Sequence, residues 1–160
     1  MFEYTGSKPA KKLFLDYNPN VLPQENKSTP VNVTLDMFLM SVDNIDEKRQ
    51  TITIKAYLEM KWRDAFLTWD PVKYPGVSRI SVKNTDIRIP DVVLTDTSDK
   101  LTELGQGDVK ADVKSDGLVT IWLYKLYTVK CKISFAKFPF DKQKCEFAFA
   151  SWSLTTSVLV

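Results

Sequence analysis

The stretch Cys131-Lys-Ile-Ser-Phe-Ala-Lys-Phe-Pro-Phe-Asp-Lys-Gln-Lys-Cys145 holds the only two cysteines of a 160-residue chain, with Phe138-Pro139-Phe140-Asp141 between them. An apolar run follows it, Phe147-Ala148-Phe149-Ala150-Ser151-Trp152-Ser153. Alternation in Val129, Cys131, Ile133 and Phe135 predicts a strand, and Cys145, Phe147 and Phe149 predict a second with the same period. A disulfide between them would close a loop of about 15 residues and stabilise the fold by roughly 3 kcal/mol through the unfolded state. Pro139 has no N–H to donate, so Phe138-Pro139 is excluded from the middle of a ladder. The two Phe rings are expected to give the loop a small apolar core of its own. A reduced, buried cysteine pair in a cytosolic β protein is the competing reading, because redox compartment governs where disulfides persist.

Outward from this stretch the chain reads as short strands and turns. Ser7 to Tyr17 carries Leu13, Phe14 and Tyr17 on one helical face, with Ser7 as N-cap and Pro9 in the first turn, which predicts a short N-terminal helix. Asn18 to Pro30 is turn-rich. Pro30–Val42 alternates through Val31, Val33, Leu35, Met37 and Leu39 and predicts a strand with one buried face. A charged turn, Asp43 to Arg49, leads into a second run with Ile52, Ile54, Ala56, Leu58, Met60 and Trp62 on one face. Tyr57 is the one aromatic ring on the opposite, polar face of that run. Trp69-Asp70-Pro71 is a turn. Asp96 to Gly107 is loop-like. Lys114-Ser-Asp-Gly117 predicts a hairpin between Val109–Val113 and Leu118–Tyr124. Trp152 has the parity opposite to Cys145, Phe147 and Phe149, so it faces away from the core if they face it. The fold class expected is all-β, a twisted Ig-like sandwich with a short N-terminal helix, built as one domain over residues 1–160.

Composition excludes several functions. The chain has no histidine, which removes Ser-His-Asp and Cys-His catalysis and histidine metal sites. Its five glycines form no phosphate loop. Net charge is +2, which points to no nucleic acid or anionic membrane as partner. No run approaches the ~18 apolar residues of a membrane span. An enzyme, a cofactor and a metal are therefore not expected. Asn26-Lys-Ser28 and Asn32-Val-Thr34 fit the N-glycosylation acceptor pattern, mild support for an extracellular domain. Asn32 falls in a predicted strand and must face solvent to be used.

Two cysteines so spaced, flanking Phe-Pro-Phe-Asp and followed by Ser-Trp-Ser, resemble the signature loop of the Cys-loop receptors, the pentameric ligand-gated ion channels. The Ser-Trp pair is similar to the nicotinic acetylcholine receptor branch and its soluble relatives, the acetylcholine-binding proteins. The resemblance runs from about Lys11 to the end. It implies a Cys131–Cys145 disulfide in an extracellular neurotransmitter-binding domain. It implies a ring with four further subunits, homomeric, and a small cationic amine held among aromatic rings at subunit interfaces. Trp152 corresponds to the family's loop B tryptophan and Tyr57 to the aromatic of loop D. Thr120 and Trp122 match loop E, although Trp122 also reads as core. Thr95 stands where the loop A tyrosine is expected, and Arg88 replaces the tryptophan of the family's Trp-x-Pro-Asp segment, with Pro90-Asp91 kept. The resemblance further implies coupling to a pore through Asp46, Glu47 and Lys48 and through Phe138, Pro139, Phe140 and Asp141. The family's last strands, its loop C and its membrane segments would lie beyond Val160. A soluble pentamer without a pore and an assembly-only subunit with a degenerate site are the alternatives.

Overall fold

The computed structural model describes residues 13–23, 31–98, 103–136 and 140–151. Among these the fold is all-β, as the pattern predicts. The strands are β1 (Val33–Asp46), β2 (Thr51–Thr68), β3 (Arg79–Lys83), β4 (Val92–Leu94), β5 (Lys110–Lys114), β6 (Asp116–Lys130) and β7 (Phe149–Ser151), with a 3-10 turn at Asn84–Asp86. One sheet has the order β1-β2-β6-β5-β3, and a second pairs β4 with β7. Of the expected N-terminal helix, residues 7–12 lie outside the described residues, and only Leu13 is helical before the chain turns.

The described residues fall into two compact units, and β1, β2 and β6 each pass from one into the other. The first unit draws on Met1–Asp36, Glu59–Pro90 and Gly105–Leu123. Its core follows the period of two: Met60 and Trp62 of β2, Ile80 and Val82 of β3, Ala111 and Val113 of β5 and Val119 and Ile121 of β6 are all buried. The predicted hairpin forms at Ser115 to Gly117. Gly117 has a positive φ of 80°, and a Cβ there would lie 2.5 Å from the Asp64 carbonyl oxygen. The inward position after Trp62 is Asp64, buried with the apolar residues. Its Oδ2 accepts from the Tyr17 hydroxyl at 2.7 Å and its Oδ1 from the Phe66 N–H at 3.0 Å. The Tyr17 hydroxyl in turn accepts from the Arg88 N–H at 2.9 Å. One buried carboxylate thus ties three segments that sequence periodicity treats separately.

The second unit draws on Met37–Leu58, Asp91–Leu104 and Tyr124–Val160. Ile54, Ala56 and Leu58 of β2 and Tyr127 and Val129 of β6 are buried in it. Antiparallel β4 and β7 pair Val92 with Ser151, Val93 with Ala150 and Leu94 with Phe149. Tyr127 is 3% exposed and its hydroxyl has no hydrogen-bond partner among the described residues, and burial pushes its pKa up to about 12. A buried donor without an acceptor costs about 1–3 kcal/mol. Tyr127→Phe is therefore expected to leave the urea midpoint equal or higher, and a loss above ~1 kcal/mol would show that the hydroxyl has an acceptor.

Four expectations need correction. The strand through Val129 stops at Lys130, and Cys131 to Phe135 lie outside any ladder. Phe135 is exposed instead of core-facing. The second strand begins at Phe149, not at Cys145, although residues 141–149 keep the predicted alternation of exposure. The disulfide and the Gln50 and Gln143 side chains, which bond the backbone of Ile133 and of Ser134, hold this region in place of ladder hydrogen bonds. Phe140 is 89% exposed, so it gives the loop no apolar core. Finally, β1 continues to Asp46, the turn shrinks to residues 47–50, and beyond Leu35 the strand buries no face. Leu39, on the outermost strand of its sheet, is 61% exposed, because no layer among the described residues covers its face.

Candidate functional site

Cys131 and Cys145 form a disulfide with their Cα atoms 5.1 Å apart, within the ordinary span for the bond. The arm that leaves Cys131 is fastened to the β1–β2 turn. Gln50, the one described non-glycine residue with positive φ (54°), ends that turn. Its backbone oxygen accepts from the Cys131 N–H at 2.8 Å. Its side-chain Oε1 accepts from the Ile133 N–H at 2.7 Å, and Nε2 donates to the Ile133 carbonyl at 3.1 Å and the Glu47 carbonyl at 2.8 Å. An amide side chain thus reproduces one step of a β ladder, with a donor and an acceptor side by side. Of the predicted coupling residues, Asp46 accepts from the Arg49 N–H at 2.9 Å, while Glu47 and Lys48 are exposed. Asp141 accepts from the Gln143 side chain. Phe138 and Pro139 lie outside the described residues.

Two of the five predicted ligand contacts share a cleft. Thr120 and Trp122 of β6 line a hollow of about 150 Å³ together with Glu59 and Lys61 of β2, Arg79 of β3, Asp112 and Lys114 of β5, and Leu118. Alternation along each strand puts these side chains on the face opposite the core. The Trp122 indole N–H donates to Glu59 at 3.2 Å, which resolves the ambiguity about this residue: it is half-buried on the outer face. Lys61 sits 2.6 Å from Glu59 and 3.5 Å from Asp36. The Glu59 hydrogen bond holds its ammonium above the usual lysine range. Arg79 sits 3.3 Å from Asp112.

The other three predicted contacts are placed elsewhere or are not described. Tyr57, two residues before Glu59 on β2, packs its ring 5.7 Å from that of Phe38. Thr95 caps the β4–β7 pair: its N–H donates to the Ala148 carbonyl at 2.9 Å and its hydroxyl to the same oxygen at 3.1 Å. Trp152 lies outside the described residues, as does Asn26. The residue before Trp152, Ser151, donates its hydroxyl to Asp91 at 2.8 Å. Asn32 is exposed just ahead of β1 and not within it, so it meets the solvent requirement for glycan transfer. Phe38, Gln50, Glu59, Lys61, Arg79, Asp112 and Lys114 were not singled out from sequence. Glu59 and Lys61 share the Tyr57 parity and could have been, but Arg79 and Asp112 come together only through strand register. Among the described residues there is no group of acidic and cysteine side chains able to hold a metal, and no helix is long and apolar enough to cross a membrane.

Residues 7–160 match the family described as neurotransmitter-gated ion-channel ligand binding domain. The chain is 34% identical over 148 residues to the acetylcholine receptor subunit alpha-1-B of Xenopus laevis, covering 92% of this chain and 32% of that protein. It is 33% identical over 142 residues to the mouse neuronal acetylcholine receptor subunit alpha-6, covering 89% and 28%. Against the human neuronal acetylcholine receptor subunit alpha-10 it is 30% identical over 143 residues, covering 89% and 32%. The chain therefore spans about a third or less of the length of these relatives.

Proposed function

This chain belongs to the neurotransmitter-gated ion-channel ligand-binding-domain family, and from that premise we propose that it is the extracellular neurotransmitter-binding domain of a pentameric, nicotinic-like channel subunit. It is a receptor domain and not an enzyme. In this reading it binds a small amine at the boundary between neighbouring subunits. Trp152 and Thr95 contribute from one subunit, and Tyr57, Thr120 and Trp122 from the next. Membrane attachment comes through segments outside this sequence. Asn26 and Asn32 are the proposed glycan sites.

The observation that carries the reading is the joint placement of Thr120 and Trp122. Both open onto one hollow on the outer face of the sheet, with the indole oriented by Glu59. A tryptophan held on an outer face by its N–H keeps its ring available to a partner, a common arrangement at interfaces. A desolvated cation over an aromatic face gains ~2 kcal/mol or more. Coupling is proposed to pass through Asp46 to Lys48 and through the disulfide loop, which Gln50 fastens together.

Thr95 offers a hydroxyl already committed to Ala148 where the family has a tyrosine, so acetylcholine itself is expected to bind weakly. Intrinsic tryptophan fluorescence of the assembled protein, titrated with acetylcholine and with choline, measures this. Trp152→Ala is expected to weaken amine binding about 30-fold while leaving the unfolding midpoint in place. Unchanged affinity in that variant sinks the site assignment, and sub-micromolar acetylcholine binding by the wild type sinks the expectation about Thr95.

A further inference from the structure

Along β6, Val119, Ile121, Leu123, Tyr127 and Val129 are buried at every second residue, and Lys125 fills the place in that series between Leu123 and Tyr127. The period of two sends them all to one face. Lys125 therefore stands on the core-facing side of the strand, where charged residues are rare. The neighbouring strand leaves room for it. The Thr53 and Thr128 hydroxyls meet at 3.1 Å, and the Cys131 N–H donates to the Gln50 carbonyl at 2.8 Å. Counting on from these antiparallel pairs sets Ala56 across from Lys125. Ala56 is fully buried and is the smallest inward side chain of β2. The Lys125 amine lies 5.5 Å from the centre of the Tyr127 ring. No carboxylate among the described residues pairs with it, and burial pulls its pKa below the usual lysine range. Lys125 is nonetheless exposed, so a small reagent reaches it.

We propose that Lys125 is a covalent modification site whose amine takes up small aldehydes as an imine. The amine nitrogen adds to the aldehyde carbon. A C–N bond forms, the C–O bond breaks, and the oxygen leaves as water with both protons of the amine. The imine nitrogen then takes one proton from solvent. Only the uncharged amine attacks, so an amine that is half desolvated and has no carboxylate to hold its proton is favoured. The ring beneath it selects among the products open to a nucleophilic lysine. A protonated imine remains a cation above the Tyr127 ring and keeps the attraction that the ammonium has there. Acylation removes that charge. A carbamate formed from carbon dioxide sets an anion against the negative ring face. None of these residues belongs to the proposed amine site.

The test treats the folded, disulfide-bonded protein with butanal and cyanoborohydride near neutral pH and locates the trapped adducts by peptide mass spectrometry. Lys130, exposed at the end of the same strand on its opposite face, is the internal reference. Lys125 is expected to be alkylated at least about fivefold faster than Lys130. That lead should vanish in the urea-unfolded chain, where both lysines meet water alike. It should be smaller when N-acetoxysuccinimide, an acylating reagent, replaces butanal. Tyr127→Phe keeps the ring and is expected to keep the lead. Equal rates at the two lysines in the folded protein, a lead that survives unfolding, or one lost in Tyr127→Phe would overturn the proposal. A larger lead for acylation than for butanal would overturn the assignment to aldehydes.

Discussion

Breaking the Cys131–Cys145 bond, by a Cys131→Ser/Cys145→Ser double variant, is expected to cost about 3 kcal/mol of unfolding free energy. The loss is concentrated in the second unit. Its origin lies in what the loop's first arm lacks. Residues 131–135 pair with no strand, and the backbone of Cys131 and Ile133 is held by Gln50 alone among the described contacts of these two residues. The covalent link thus acts beside side-chain amides, Gln50 and Gln143, on an arm that periodicity alone would assign to a ladder. Urea unfolding of the double variant beside the oxidised wild type measures the difference. Hydrogen exchange at Ile133 should accelerate more than at Ile121. Coincident unfolding curves would mean that the loop is held by contacts outside those seen here.

Asp64→Leu is expected to destabilise the first unit by about 3 kcal/mol or more, since it strips the acceptor from the Tyr17 hydroxyl and from the Phe66 N–H at a buried site. The conservative Asp64→Asn tests the electrostatics. Burial pushes the Asp64 carboxyl above the usual carboxylate range, against the lowering effect of the Tyr17 and backbone hydrogen bonds. Tyr17 is pushed up in turn, first by its own burial and then by the neighbouring carboxylate. For an acid whose folded pKa is raised, the native state keeps its proton longer than the unfolded chain does. The associated stability is fully present below the ordinary value of about 3.9 and is lost as pH rises through the raised folded value. Wild type should therefore lose unfolding free energy relative to Asp64→Asn as pH is raised from about 4 to 7. Parallel profiles would remove desolvation as the dominant cause.

What the sequence disclosed and what it hid have physical reasons. β2 was legible because its inward residues, Ile54 to Trp62, alternate without interruption and meet a core on one side only. The hairpin at Gly117 was legible because its turn requires a positive φ. Leu39 misled because alternation states which residues share a face, and says nothing of whether another layer covers that face. Cys131 to Phe135 misled because two amide side chains, Gln50 and Gln143, replaced the neighbouring strand. At the site, Tyr57, Thr120 and Trp122 stood out as aromatics or family positions. The cations around them did not, since Arg79 and Lys114 become neighbours only through a register that no local pattern encodes.

The Gln50 arrangement carries a consequence for how this protein can vary. The side chains of Glu47, Lys48 and Arg49 project into water and the fold of the turn does not depend on them, yet the backbone beneath them spans a fixed distance between β1 and the amide that grips Ile133. A single inserted or deleted residue there would pull that amide out of register and release Cys131 and Ile133 together. For folding, the turn ahead of Gln50 is permissive in composition and intolerant in length.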